Sequence, residues 1–343
     1  MRIKSIIMIT LIAMAAPSCQ KTSEKKIIIA HRGACGYLPE HTLEAKAMAH
    51  AMGADYLEQD LALTRDNRAV VIHDHYLDTV SNVKEVYPNR ARKDGRYYVI
   101  DFTLDEVKRL TFHERIDLKT QKAVFPKRFP FSRSINFQIH TLEEEIEMIQ
   151  GMNKSTEKNT GIYPELKAPW FHKAEGKDIA KIVLEILNRY GYKNKNDRCY
   201  LQCFDPAALQ YLRDTLKCEL KMIQLIADNS WNETPGVDYD EMLTPGGLKK
   251  VSTYADGVGP WTELISIEDK NKSTVTKTDF VDNAHSLGMK VHPYTFRADD
   301  LPPWAENFTV YLDFFFNTMN VDGVFTDFPD QGVHYLKSYG FRD

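Results

Sequence analysis

Three short stretches carry the side chains best equipped for chemistry. The apolar run Ile27-Ile28-Ile29-Ala30 ends in His31, Arg32 and Gly33; Tyr56-Leu57-Glu58-Gln59-Asp60-Leu61 sets two carboxylates on alternate positions; Val70-Val71-Ile72 ends in His73, Asp74 and His75. Successive side chains of a strand point to opposite faces, so Glu58 and Asp60 share one face while Leu57, Leu61 and Leu63 share the other. A strand that buries leucines on one face and aims two carboxylates from the other suits a hard cation, which takes oxygen ligands. His31 and His73, each at the end of an apolar run, would flank that ion. An ion between two imidazoles is equipment for acid–base chemistry on a charged, phosphorylated substrate. Taken singly, each stretch has an ordinary explanation, a turn after a strand or a solvated strand face. Their order along the chain makes the combination specific.

The elements that must position these groups follow from the rest of the sequence. A chain of 343 residues, 43% apolar and 27% charged, has the make-up of a soluble globular protein and the length for one large α/β barrel. Strands are expected at 27–30, 55–63, 161–167, 199–204, 220–226, 255–260, 289–294 and 321–326. Helices are expected at 42–51, 141–150, 178–190, 206–216, 248–254, 278–287, 310–319 and 331–338. Thr42 caps the first, Thr141 and Glu144 form a capping box on the second, and Gly191 and Gly288 close two others. Eight strand–helix units are the count of a TIM (βα)8 barrel within residues 27–343, a fold whose active sites lie at the C-terminal ends of the strands. Residues 76–140 break the alternation. Rich in basic, aromatic and proline residues, they are expected to form a small inserted subdomain after the second strand, with Ala69–His73 as its arm and a short helix at 104–110.

Residues 1–18 read as a secretory signal, in which Arg2 and Lys4 precede an apolar run too short to span a bilayer. Ser18-Cys19 resembles a lipoprotein processing site, which would make Cys19 the lipidated N-terminus and residues 19–26 a tether. The expected location is thus exported, periplasmic or held at a membrane by that lipid alone. Cys199 and Cys203 fall on one expected strand, about 13 Å apart, too far for a disulfide. The formal charge of −4, more negative still without the signal, argues against nucleic acid as a partner.

Further candidates sit at other strand ends. Tyr163, Glu165 and Lys167 share one strand face; Gln202 and Phe204 end the next strand; Trp261 and Phe328 follow two later ones. Arg32 offers a planar fork of donors suited to two phosphate oxygens.

His31-Arg32, then Glu58-x-Asp60, then His73-Asp74, in that order, resemble the signature of the glycerophosphodiester phosphodiesterases. Residues 31–42 and 54–60 look like the bacterial periplasmic and lipoprotein branch of that family, and the likeness covers nearly all of the chain after residue 24. The resemblance implies metal-dependent hydrolysis of small glycerophosphodiesters to sn-glycerol 3-phosphate and an alcohol such as choline, ethanolamine or glycerol. It implies His31 as base, His73 as acid on the leaving alcohol, Glu165 as third metal ligand beside Glu58 and Asp60, and Lys167 with Arg32 on the phosphate. That oxygen-only set suits calcium or magnesium, and the resembled branch favours calcium. Gln202 is expected to contact substrate, and Trp261 and Phe328 to wall the glycerol carbons. His73-x-His75 has the look of a zinc pair, but metallohydrolase barrels that use one carry it on the first strand; His75 is expected to make a structural hydrogen bond. Two other readings stand beside this one: a barrel phospholipase acting on intact lipid, and a surface lipoprotein with an adhesin-like binding role. The polar, basic insertion favours soluble diesters over lipid, and binding alone has no need of two histidines, three carboxylates, Arg32 and Lys167 together.

Overall fold

Apolar runs and amphipathic helices alternate from Ile27 onward, interrupted between Ile72 and Thr141, and the strands they make close on themselves. The computed structural model describes residues 25–131, 134–269 and 272–342, so the expected signal, Cys19 and most of the tether lie outside the described residues. The strands are β1 (Ile27–Ala30), β2 (Tyr56–Leu63), β3 (Ala69–Val71), β4 (Gly161–Leu166), β5 (Tyr200–Cys203), β6 (Lys221–Ile226), β7 (Gly257–Pro260), β8 (Ser266–Asp269), β9 (Thr274–Lys277), β10 (Lys290–Val291) and β11 (Gly323–Thr326). Eight of them run parallel in the order β10-β7-β6-β5-β4-β2-β1-β11. Backbone bonds from Asp322 N–H to Val291 O (3.0 Å), Phe325 N–H to Pro293 O (3.1 Å) and Phe296 N–H to Phe325 O (2.8 Å) join the two ends. The fold is the TIM barrel that the strand count implies.

Helices cover the outside because their apolar faces have no other place to go. Leu43–Met52 starts where Thr42 Oγ1 accepts from Ala45 N–H and stops at Gly53, whose φ of 87° suits a residue without Cβ. Leu142–Thr156 carries the expected capping box, with the Thr141 and Glu144 side chains each accepting from the other's backbone. The largest apolar cluster lies between these helices and the outward faces of the strands, and includes Leu57, Leu61, Ile146 and Val183. Cys199, Cys203 and Cys218 sit in it; with Cys35 they are free and buried.

Between Ile72 and Thr141 the chain forms a second packed unit on the C-terminal side of β2. Its arm β3 pairs antiparallel with the end of β2, Leu61 opposite Val71 and Leu63 opposite Ala69. Its own apolar cluster gathers Leu77, Val80, Val99, Phe102, Phe112 and Phe137 against Ala62 of β2 and Val70 and Ile72 of the arm. The short helix there is Leu104–Val107, with a capping box from Thr103 and Glu106.

Some local expectations shift. The helix expected at 248–254 is Pro245–Val251, because Thr244 caps it and Pro245 takes the first helical position. The helices expected at 206–216 and 310–319 each end in a π-type turn, Tyr211–Thr215 and Phe314–Thr318. Helices Pro169–Ala174 and Tyr239–Leu243 and the hairpin β8–β9 were not expected from periodicity: each is only four to six residues long, too short to show a period.

Candidate active site

Inward-facing residues fill the barrel in layers. Tyr56, Tyr163, Ile223 and Phe325 pack at the centre with Tyr200, and Tyr163 Oη lies 2.8 Å from His292 Nδ1. The two-residue period then lifts Glu58, Glu165, Gln202 and Asp327 onto the layer above this aromatic floor. Register sets them side by side: Asp60 is opposite Glu165 across β2–β4, and Glu165 opposite Gln202 across β4–β5.

Glu58, Asp60 and Glu165 are buried and offer oxygens that all lie within 4.8 Å of one another. Arg32, held at a left-handed φ of 55°, aims its backbone N–H at Glu58 Oε2 (2.7 Å), and Gln202 Nε2 donates to Glu58 Oε1 (3.0 Å). Asp60 Oδ2 is 2.7 Å from His41 Nε2, while its Oδ1 has no hydrogen-bond partner among the described residues. Glu165 Oε1 is 2.8 Å from Lys167 Nζ. Burial, and then the charge of Asp60, push Glu58 up to about 8; burial raises Glu165 as well. Burial would also raise Asp60, but the neighbouring His41 and Lys167 outweigh it and hold it low. Crowded carboxylates with an orphaned oxygen and no thiol fit a hard divalent cation, which would let all three ionise.

Two histidines face the same cavity, and each has a carboxylate behind it. His31 Nδ1 is 2.5 Å from Asp327 Oδ1, and His73 Nδ1 is 2.6 Å from Asp74 Oδ1. A neutral imidazole so placed carries its proton on Nδ1 and turns the Nε2 lone pair to the cavity. Burial, then the charge of Arg32, lower His31 to about 4; burial, Arg32 and Lys167 lower His73 to about 3. The backing carboxylates are themselves balanced unequally. Asp327 Oδ2 faces two guanidiniums, Arg128 at 2.7 Å and Arg297 at 2.9 Å. Asp74 Oδ2 faces one, Arg115 at 2.6 Å. Arg115 also grips both oxygens of Glu40, which in turn holds Arg32 Nη1 at 2.9 Å.

Of the residues singled out from sequence, His31, Arg32, Glu58, Asp60, His73, Glu165, Lys167, Gln202 and Trp261 line one cavity of about 230 Å³. Phe328 does not. Its ring packs outside the strand ends on Tyr37 (centroids 5.3 Å apart) and over Gly36, where a Cβ would come within 2.6 Å of it. The reason is strand parity: Phe325 and Asp327 face inward, so Phe328 cannot. Gln202 reaches a carboxylate, as its bond to Glu58 shows. The His75 ring has no hydrogen-bond partner among the described residues, although its carbonyl accepts from Val99 N–H (3.0 Å); the ring lies among Tyr76 (4.1 Å), Phe171 (4.6 Å) and Tyr98 (5.8 Å). Sequence reasoning passed over His41, Glu40, Arg115, Arg128, Arg297, Trp231 and Glu233. Parity on β11 was the available signal for Asp327; the insertion's arginines had none.

A barrel of eight parallel strands with two carboxylate-backed histidines, a buried acidic trio, and Arg32 and Lys167 at its C-terminal mouth has the equipment of a hydrolase of phosphate esters. Residues 31–331 match the model of the glycerophosphoryl diester phosphodiesterase family. The chain is 47% identical to a glycerophosphodiester phosphodiesterase of Haemophilus influenzae, over 98% of this chain and 99% of that one. It is 39% identical to another of Treponema pallidum, over 92% of each. In fold it is similar to a phosphodiesterase of Oleispira antarctica solved with the product sn-glycerol 3-phosphate, at a TM-score of 0.59 and 20% identity over 91% of this chain and 97% of that one. The chain belongs to the glycerophosphoryl diester phosphodiesterase family and is an enzyme of that class.

Proposed function

We propose that the chain hydrolyses soluble glycerophosphodiesters to sn-glycerol 3-phosphate and an alcohol, with a divalent cation, calcium, held by Glu58, Asp60 and Glu165. The observation that carries this reading is the pair of carboxylate-backed histidines facing one cavity with that buried trio. When bound, the cation supplies positive charge to the phosphate oxygens and lowers the cost of charge building there. Arg32 and Lys167 hold the phosphate from the chain's side.

His31, neutral at physiological pH, takes the proton of the attacking hydroxyl at Nε2. The glycerol 2-hydroxyl is the nearest nucleophile because it is already tethered to the phosphate. His73 gives its proton to the leaving alkoxide. Two features support that division. Arg32 and Lys167, which follow burial in holding His73 down, are the groups a bound phosphate neutralises, so substrate raises His73 towards protonation. Asp74, balanced by a single arginine, keeps more negative charge for an imidazolium than Asp327, balanced by two. Water then opens the cyclic phosphate with the roles exchanged: His73 takes its proton and His31 returns one to the glycerol oxygen.

The test is release of glycerol 3-phosphate from glycerophosphocholine by the chain from Lys21 onward, with calcium, with magnesium and after chelation. Calcium should restore chelated enzyme, and His31→Ala and His73→Ala should each lose on the order of 10²-fold or more in turnover. Near-normal turnover in either variant, or activity untouched by chelation, would sink the assignment. Turnover of micellar lipid in place of the soluble diester would shift it to a phospholipase. From residues 1–19 we also propose export and a lipid on Cys19. Labelled fatty acid should enter the full chain and fail to enter Cys19→Ser; equal labelling of both rules the anchor out.

A further inference from the structure

The cavity's far end is built unlike its phosphate end. Trp231 and Trp261 lie there with ring centroids 4.8 Å apart and planes at 53°, and Phe204 and Tyr294 continue the aromatic lining at 5.9 Å. Trp231 remains 43% exposed. The only acid of the lining outside the carboxylate trio is Glu233. Its carboxylate makes no hydrogen bond or ion pair with a described residue. Its position is fixed through the backbone instead, where its carbonyl accepts from Trp170 Nε1 at 3.0 Å. It lines the same cavity as Lys167 and Tyr294. Lys167 is already paired with Glu165 at 2.8 Å, so Glu233 is not simply its counter-ion.

We propose that Trp231, Trp261 and Glu233 form a subsite for a cationic headgroup, the trimethylammonium of choline or the ammonium of ethanolamine, on the leaving side of the diester. This rests on reading the cavity as a glycerophosphodiester site. In these diesters the nitrogen stands two carbons from the ester oxygen, so positive charge is held a short, fixed reach from the phosphate. The cations around Arg32 gather the anion; a wall of the opposite character is needed to welcome the charge attached to it. Indole faces attract quaternary ammonium through the ring quadrupole. A carboxylate beside those rings supplies the complementary charge to a cation that reaches it. A neutral glycerol or inositol headgroup offers no charge for either to engage.

The experiment measures kcat/KM for glycerophosphocholine and for glycerophosphoglycerol in the wild-type enzyme and in Glu233→Gln and Trp231→Leu. The ratio of the two should fall about tenfold in each variant. A ratio that stays constant overturns the subsite. Should the variants not fold, inhibition of the wild type decides: choline should inhibit at least several-fold more tightly than 3,3-dimethylbutan-1-ol, its uncharged isostere, and equal inhibition overturns the proposal. Failure of the wild type to hydrolyse either diester would overturn the underlying reading as well, whereas hydrolysis with an unchanged ratio removes the headgroup subsite alone.

Discussion

The two walls of the cavity solve different problems. On the insertion side, buried charges are held in ion pairs, each arginine bridging two carboxylates: Arg115 with Asp74 and Glu40, Arg128 with Asp327 and Asp299. On the side of β6, β7 and β10 the lining is aromatic, with one carboxylate and no arginine until Arg297. A wall that must orient imidazoles needs fixed dipoles, and these stay fixed only when each charge has a partner. A wall that must admit a variable alcohol needs shape and polarisable surface, which aromatic rings provide without committed bonds. The insertion thus braces the cavity through Arg115 and Arg128 and is more than a rim around the mouth.

The largest effect should come from breaking the insertion side at Arg115. Arg115→Met removes the cation that Asp74 and Glu40 share, leaving them with Arg32, His73 and Thr79 alone, so unfolding should become easier by about 3–5 kcal/mol. Turnover, measured well below the lowered melting temperature, should fall roughly 10²-fold as His73 and Arg32 lose their alignment. Turnover near that of the wild type would mean that the insertion supports the barrel's stability alone.

The next is a pH effect at Glu145, the partner of His140 at the insertion's end. Glu145 lies behind β2 with Lys46 Nζ at 3.1 Å, Gln59 Nε2 at 2.7 Å and His140 Nε2 at 2.6 Å. Burial would raise its pKa, but Lys46 and the bonds from His140 and Gln59 outweigh burial and hold it at about 2, below the ordinary 4.5. A pKa depressed by folding gives stability that is complete above about pH 4.5 and disappears as pH falls through 2, here roughly 3 kcal/mol. Glu145→Gln should therefore lose less unfolding free energy than the wild type between pH 5 and pH 2 by denaturant titration. Parallel curves would show that the carboxylate is no better placed folded than unfolded.

Arg128→Met should be milder than Arg115→Met, because Arg297 still holds Asp327 at 2.9 Å. The fall in kcat should stop well short of the ~10²-fold that a displaced catalytic group costs. Equal losses in the two variants would contradict the one-arginine, two-arginine difference between the backing carboxylates. The smallest effect belongs to the aromatic wall. Trp170→Phe removes one hydrogen bond to Glu233 and should lower stability by about 1 kcal/mol; a loss comparable to that of Arg115→Met would erase the contrast between the walls.

Much of this was legible in sequence where a period carried it. The barrel follows from alternating strands and capped helices, and Glu58, Asp60, Glu165 and Lys167 follow from strand parity. Where parity was not applied the reading slipped: Phe328 was expected inside, although Phe325 two positions inward of Asp327 marks the opposite face. Arg115 and Arg128 were not legible at all. They sit in a segment with neither helical nor strand period, and what selects them is a contact with residues 41 and 199 positions away in the chain. Glu233 was equally hidden, because it lies in a loop and is fixed by its backbone.

The buried cysteines turn this architecture into its own clock. Burial raises the thiols of Cys35, Cys199, Cys203 and Cys218, so each stays protonated and unreactive while its surroundings remain closed. Cys199, Cys203 and Cys218 belong to the barrel's main core, whereas Cys35 lies under Arg128, whose Nη1 is 4.0 Å from its sulfur. Under a thiol reagent the first three label at the rate at which the barrel opens, and Cys35 labels as soon as the insertion lifts. Two labelling rates in the chain from Lys21 onward, which lacks Cys19, would then mark two separately opening units, and a single rate would mark insertion and barrel as one.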